Sequence, residues 1–259
     1  MKVVILCGGQ GMRLREETET RPKPMVEIGG KPILWHIMMT FAHYGYTDFV
    51  LCLGYKGEII KHYFLNYEFL NSDFSIELGT RNVSVHDSSG PEKGWRVTLA
   101  DTGLMAMTGA RVKRVEKYVG GDSFMLTYGD GVTDLDLNAL LEFHLSHGKI
   151  GTVTGVCPPS RYGELGIRGG QVVSFREKPD AQESFINGGY FILRREFFDY
   201  LSDDDGCVLE RGPLERLARE GELMAYNYGG FWQCMDTHRD LEFLKGMWER
   251  GEAPWKVWA

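Results

Sequence analysis

Apolar residues in this chain fall into short unbroken runs, separated by stretches where they recur every three or four positions. The runs are Val3–Leu6, Asp48–Leu53, Phe124–Tyr128 and Gly151–Cys157. Runs of that length, bounded by turn residues, predict strands buried on both faces. Between them, Pro32–His43 places Ile33, Leu34, Ile37, Met38 and Phe41 at helical spacing, with Pro32 suited to the first turn and Gly45 beyond the end. Gly57–Leu65, Leu137–His147, Pro213–Arg219 and His238–Arg250 also read as helices. Buried strands alternating with amphipathic helices predict an α/β fold: a mostly parallel sheet covered on both faces.

Two stretches depart from this rhythm. Phe74–Leu99 alternates in polarity around the turn cluster Asp87–Gly94, which predicts an antiparallel β-ribbon inserted near 74–99. Leu165–Leu193 holds Ile167–Arg168, the pair Gly169-Gly170 and Val172–Phe175, then Phe185–Leu193, and reads as a hairpin with a return strand. The expectation is one domain over 1–259. In open parallel sheets ligands bind beyond the carboxyl ends of the strands, so the residues after each strand are the ones to read for chemistry.

Composition narrows the classes. The chain has 33 glycines in 259 residues, well above the usual share of about 7%, which suits many turns and close backbone approaches to a ligand. The net charge of −7 argues against a general nucleic-acid binder. No apolar run reaches the roughly 18 residues needed to span a bilayer, and Met1-Lys2 with Val3–Cys7 is too short for a signal peptide. A cytoplasmic protein without membrane or nucleic-acid partners is expected. The five cysteines, at 7, 52, 157, 207 and 234, form no CxxC pair, and Cys7, Cys52 and Cys157 read as small buried hydrophobes.

The first strand runs into Cys7-Gly8-Gly9-Gln10-Gly11-Met12-Arg13. Glycines there can turn backbone N–H groups toward an anion, although a plain turn would look the same. A dinucleotide fingerprint needs a helix and second strand next, and Arg21-Pro22-Lys23-Pro24 arrives too early for both. No Walker motif is present. What remains is a long loop carrying Arg13, whose planar fork suits phosphate oxygens, and Lys23, stiffened by a proline on each side. Asp130 closes a later strand between two glycines and offers Mg²⁺ a hard oxygen donor, though Asp-Gly is also a common turn. Asp236 is either a second ligand or the cap of the following helix. Glu177 and Lys178 end the Val172–Phe175 strand and together match sugar hydroxyls and a phosphate; Asn187 and Gly188 offer an amide and close backbone. Thr108 and Arg111 open a small basic patch with Lys113 and Arg114, either an anchor for a triphosphate or a solvated helix face. Asp134 and Asp136 read as turn and cap residues, and His144 and His147 as lying on a helix surface.

The string ILCGGQGMRLREETETRPKPMVEIGGKPIL resembles the N-terminal signature of the sugar-1-phosphate nucleotidylyltransferases, and the likeness continues through YGDG, YGELG, REKP, INGGYF and MDT. The EET…RPKPM…GGKPILWHIM version is most similar to members that use CTP and glucose 1-phosphate. Met12 stands where many relatives carry Thr or Ser, and Cys7 where Ala is usual. The resemblance implies a Rossmann-like mixed sheet of the nucleotide-diphospho-sugar transferase type, with a sugar-binding portion near 157–235. It implies nucleotide contacts from Leu6, Cys7, Gly8, Gly9, Gly11, Met12, Arg13, Lys23, Thr108, Arg111 and Gly129, with Arg13 and Lys23 catalytic. For the sugar phosphate it implies Tyr128, Gly163, Glu177, Lys178, Asn187 and Gly188, and for Mg²⁺ the pair Asp130 and Asp236. It further implies a homo-oligomer, tetramer or hexamer. The same chemistry with dTTP or UTP, and a catalytically silent nucleotide-sugar sensor, are the alternatives.

Overall fold

Seven strands build the central sheet of the computed structural model, which describes residues 1–86, 90–158, 164–176 and 185–258. They are β1 (Lys2–Leu6), β2 (Asp48–Leu53), β3 (Arg96–Asp101), β4 (Ser123–Tyr128), β5 (Gly151–Val156), β6 (Ile186–Arg194) and β7 (Leu223–Tyr228). Their spatial order is β7-β5-β6-β4-β1-β2-β3. All run parallel except β6, which is antiparallel to both of its neighbours, so the sheet is mixed and mainly parallel, as expected.

Strand periodicity explains the two-sided core. Val3 and Ile5 of β1 face one way and pack with Ile33, Leu34, Ile37 and Phe41 of α1 (Ile33–His43). Val4 and Leu6 face the other way, toward Val112 of α3 (Thr108–Arg114), Val115 just beyond it, and Phe197 and Phe198. A strand that buries both faces must be apolar throughout, which is why β1 reads VVIL rather than alternating. The other longer helices among the described residues are α2 (Gly57–Leu65), α4 (Leu137–His147), α5 (Pro213–Arg219) and α6 (His238–Glu249).

The expected ribbon over 74–99 is shorter than its pattern suggested. Asp73–Ile76 pairs antiparallel with Val83–His86, but β3 leaves the ribbon and joins the main sheet as a parallel edge strand beside β2. An edge strand with one solvated face alternates like a ribbon, so alternation alone could not separate the two. The hairpin is present as Glu164–Arg168 paired with Gln171–Arg176. His144 is not on a surface: it is 1% exposed, and its Nδ1 and His147 Nε2 each lie 2.8 Å from Thr152 Oγ1. Among the described residues no helix is long and apolar enough to cross a membrane.

Candidate active site

β1 ends at Leu6, and the chain turns at once through the glycine loop beyond the carboxyl end of the sheet. Gly11 has φ +62°, and a Cβ there would lie 2.8 Å from Thr18 Cγ2 and 3.2 Å from Lys23 Cβ. Only glycine meets both constraints cheaply. The loop then winds into a short 3₁₀ turn, Met12–Leu14, that leaves Met12 and Arg13 exposed. A second 3₁₀ turn, Lys23–Met25, begins after Pro22 and is closed by Met25 N–H donating to Pro22 O at 2.8 Å. It fixes the Lys23 backbone and sends the side chain, only 10% exposed, toward the end of β4.

Asp130 and Asp236 are far apart in sequence, and a small ribbon brings them together. Gly131–Thr133, directly after Asp130, pairs antiparallel with Trp232–Cys234, which is separated from Asp236 by Met235 alone. Met235 N–H also donates to Asp130 O at 2.8 Å. The α6 cap is Thr237, in a reciprocal capping box with Asp240, so the Asp236 carboxylate takes no part in capping the helix. Lys23 Nζ bridges the two acids, donating to Asp130 Oδ2 at 2.7 Å and Asp236 Oδ1 at 2.6 Å. Arg13 Nη1 lies 2.9 Å from Asp236 Oδ2. Burial alone would lower the Lys23 pKa, but Asp130 and Asp236 outweigh it and raise it. Burial likewise pushes Asp236 up, and Lys23 with Arg13 more than reverses this, leaving its carboxyl below the usual range. Both groups are therefore charged near neutral pH.

A cleft of about 250 Å³ opens beside this cluster, lined by Arg13, Tyr128, Asp130, Asn187, Gly188 and Trp232 among others. Asn187 Nδ2 donates to Tyr128 Oη at 3.3 Å, and Tyr128 Oη donates to Glu210 Oε1. Trp232 Nε1 donates to Gly188 O at 2.6 Å, fixing the backbone of β6 at the cleft wall. A second hollow, of about 660 Å³, lies at the opposite end of the sheet and mixes Arg194 and Arg195 with Glu116, Asp122, Glu196 and Asp199.

The structure thus gathers Arg13, Lys23, Tyr128, Gly129, Asp130, Asn187, Gly188 and Asp236 around one end of the sheet, with Leu6 at the end of β1 and Cys7, Gly8, Gly9, Gly11 and Met12 in the adjoining loop. Gly163, Glu177 and Lys178 lie outside the described residues. The Thr108 hydroxyl donates to Glu210 Oε2 at 2.7 Å, sharing that carboxylate with Tyr128, and accepts from Leu209 N at 2.9 Å.

Arg111 needs correction as an expected triphosphate anchor. Its guanidinium is buried and directed to five acceptors: Leu53 O, Thr102 Oγ1, Gly103 O, Gly8 O and Leu104 O. It therefore ties together the carboxyl ends of β1, β2 and β3 instead of facing a ligand. A Cβ on Gly8 would lie 2.2 Å from Arg111 Nη1, so this position has to stay a glycine for the arginine to reach its acceptors. Glu210 was missed in the sequence; a lone Glu in a loop carries no local signal, and only its shared bonds to Thr108 and Tyr128 single it out.

A glycine loop after the first strand, two cations and two carboxylates at the sheet's carboxyl end define a nucleotidyl transferase, and the chain belongs to the nucleotidyl transferase family, whose model matches residues 2–218. Among its relatives, it is 53% identical over 259 residues to glucose-1-phosphate cytidylyltransferase of Salmonella typhimurium (strain LT2), with both chains covered in full. The Salmonella typhi protein of the same name is 52% identical over the same span. A crystal structure of UDP-glucose pyrophosphorylase complexed with UDP-glucose shares the fold, with a TM-score of 0.69 at 17% identity over 96% of this chain and 98% of the other.

Proposed function

We propose that this protein transfers the cytidylyl group of CTP to α-D-glucose 1-phosphate, giving CDP-glucose and pyrophosphate. Full-length identity above half to glucose-1-phosphate cytidylyltransferases carries the reading. An oxygen of the sugar phosphate attacks the α-phosphorus, and pyrophosphate leaves in line. The nucleophile is a phosphate monoester with a second pKa of about 6, already ionised at neutral pH, so the chain needs no general base. Its tasks are positioning and charge neutralisation. The glycine loop receives the triphosphate, and Arg13 and Lys23 offset its charge. Tyr128, Asn187 and Gly188 shape the hexose side, with Gly163, Glu177 and Lys178 assigned to the same ligand.

Asp130 and Asp236 fit a Mg²⁺ ion. Both already converge on one cation, the Lys23 ammonium, and Mg²⁺ commonly takes one or two carboxylates and completes its shell with water and substrate phosphates. Among the described residues no richer cluster of metal-ligating side chains occurs. When bound, the ion supplies further neutralisation of phosphate charge. The reading includes a cytoplasmic homo-oligomer, tetramer or hexamer; exposed Phe74, Ile76 and Val83 on the ribbon support an assembly surface, and sedimentation tests it.

Incubation with glucose 1-phosphate, Mg²⁺ and each of CTP, UTP, dTTP and ATP tests the function. Pyrophosphate release with CTP is expected. Release only with another nucleotide would reassign the base, and release with none would leave a sensor.

A further inference from the structure

We infer that the Lys23 ammonium is an internal stand-in for the divalent cation, so the free chain keeps its metal position closed until nucleotide phosphates draw the lysine away. The inference rests on the reading of Asp130 and Asp236 as the metal pair. Lys23 Nζ lies 2.7 Å from Asp130 Oδ2 and 2.6 Å from Asp236 Oδ1. Magnesium–oxygen bonds are about 2.0–2.1 Å, so an ion held by those two oxygens would need the space the ammonium fills. The other Asp236 oxygen is also engaged, by Arg13 Nη1 at 2.9 Å. Two carboxylates and two cations leave the cluster with no net charge to attract a divalent ion.

The two cations are not equally free to leave. The Arg13 side chain is 73% exposed, so water screens its pairing, whereas the Lys23 side chain is 10% exposed. The Lys23 backbone cannot follow a ligand, because Pro22, Pro24 and the 3₁₀ turn fix it. Its stem packs beneath Gly11, where a Cβ would stand 3.2 Å from Lys23 Cβ. Rotation of the side chain is the remaining freedom, and the glycine loop that receives the triphosphate lies directly against that stem. Triphosphate oxygens offer the ammonium a second anion, and its departure exposes both carboxylate oxygens to the incoming metal. Metal and nucleotide consequently bind with positive coupling, and metal alone binds weakly.

Titration of nucleotide-free protein with Mn²⁺, followed by the electron paramagnetic resonance signal of the free ion, tests this. Wild-type chain is expected to show no stoichiometric binding, whereas Lys23→Met takes up one Mn²⁺ per chain at least about tenfold more tightly. Lys23→Gln, which keeps a polar tip, should show the same gain, and circular dichroism checks that both variants are folded. Adding Asp130→Asn to Lys23→Met should abolish the gain. Equal, tight binding by wild type and both variants, still lost with Asp130→Asn, would overturn the exclusion and leave the metal pair standing. A gain that survives Asp130→Asn would overturn the metal pair itself. No gain in either Lys23 variant would overturn the exclusion.

Discussion

Single residues at the sheet's carboxyl end differ sharply in what their loss should do. Lys23→Ala is expected to lower kcat at least about tenfold, on the order of 1.4 kcal/mol of transition-state stabilisation, in steady-state pyrophosphate release. Asp130→Asn is expected to abolish the Mg²⁺ dependence of activity, measured by titrating the metal at fixed CTP. Arg111 belongs to a different group. Its cage of four carbonyls and the Thr102 hydroxyl predicts a structural cost: Arg111→Lys has too few donors for five acceptors and should lower the unfolding free energy by about 3 kcal/mol in urea denaturation. At this scale the sequence was legible where neighbours constrain a residue. Prolines on both sides of Lys23 foretold a fixed cation. Nothing local to Arg111 distinguishes a guanidinium facing phosphate from one wrapped in backbone, because its acceptors come from residues 8, 53 and 102–104.

Among elements, boundaries were read well wherever a strand or helix carries its own punctuation. Leu137–His147 begins after Asp136, whose side chain accepts from Asn138 and Ala139 backbone N–H, and ends at Gly148 in the left-handed region. Trp232–Cys234 was not foreseen, because a three-residue strand has no periodicity to detect and exists only through its partner Gly131–Thr133. The α1 helix carries a testable pH response. His36 Nε2–H donates to Ile28 O at 2.8 Å, leaving Nδ1 to accept from the Trp255 indole at 3.4 Å. Burial drives its pKa down from 6.5 to about 4. The unfolded chain therefore binds the proton first, and stability present above pH 6.5 is lost as pH falls toward 4. Between pH 7 and 5 the loss from this group is about 2 kcal/mol. Denaturant midpoints across that range should show it, and His36→Gln should flatten it. His144, also lowered to about 4 by burial, acts in the same direction.

The whole molecule follows from the alternation of apolar runs and amphipathic stretches, which was sufficient for the α/β class and for a mainly parallel sheet. The reversed β6 and the rank of each strand in the sheet were not readable, since both depend on long-range pairing. Trp255, fully buried, and Trp258, 9% exposed, show the C-terminal segment packed against α1 around His36. The site itself is a whole-molecule property. Lys23 stands 107 positions before Asp130 and 213 before Asp236, and the last of these is placed by a ribbon whose second strand arrives only at Trp232–Cys234. During synthesis the first strands and the glycine loop emerge long before that ribbon can close. A nascent chain can therefore fold much of its sheet while still lacking a complete charge cluster, and competence arrives in one step, with the final carboxylate.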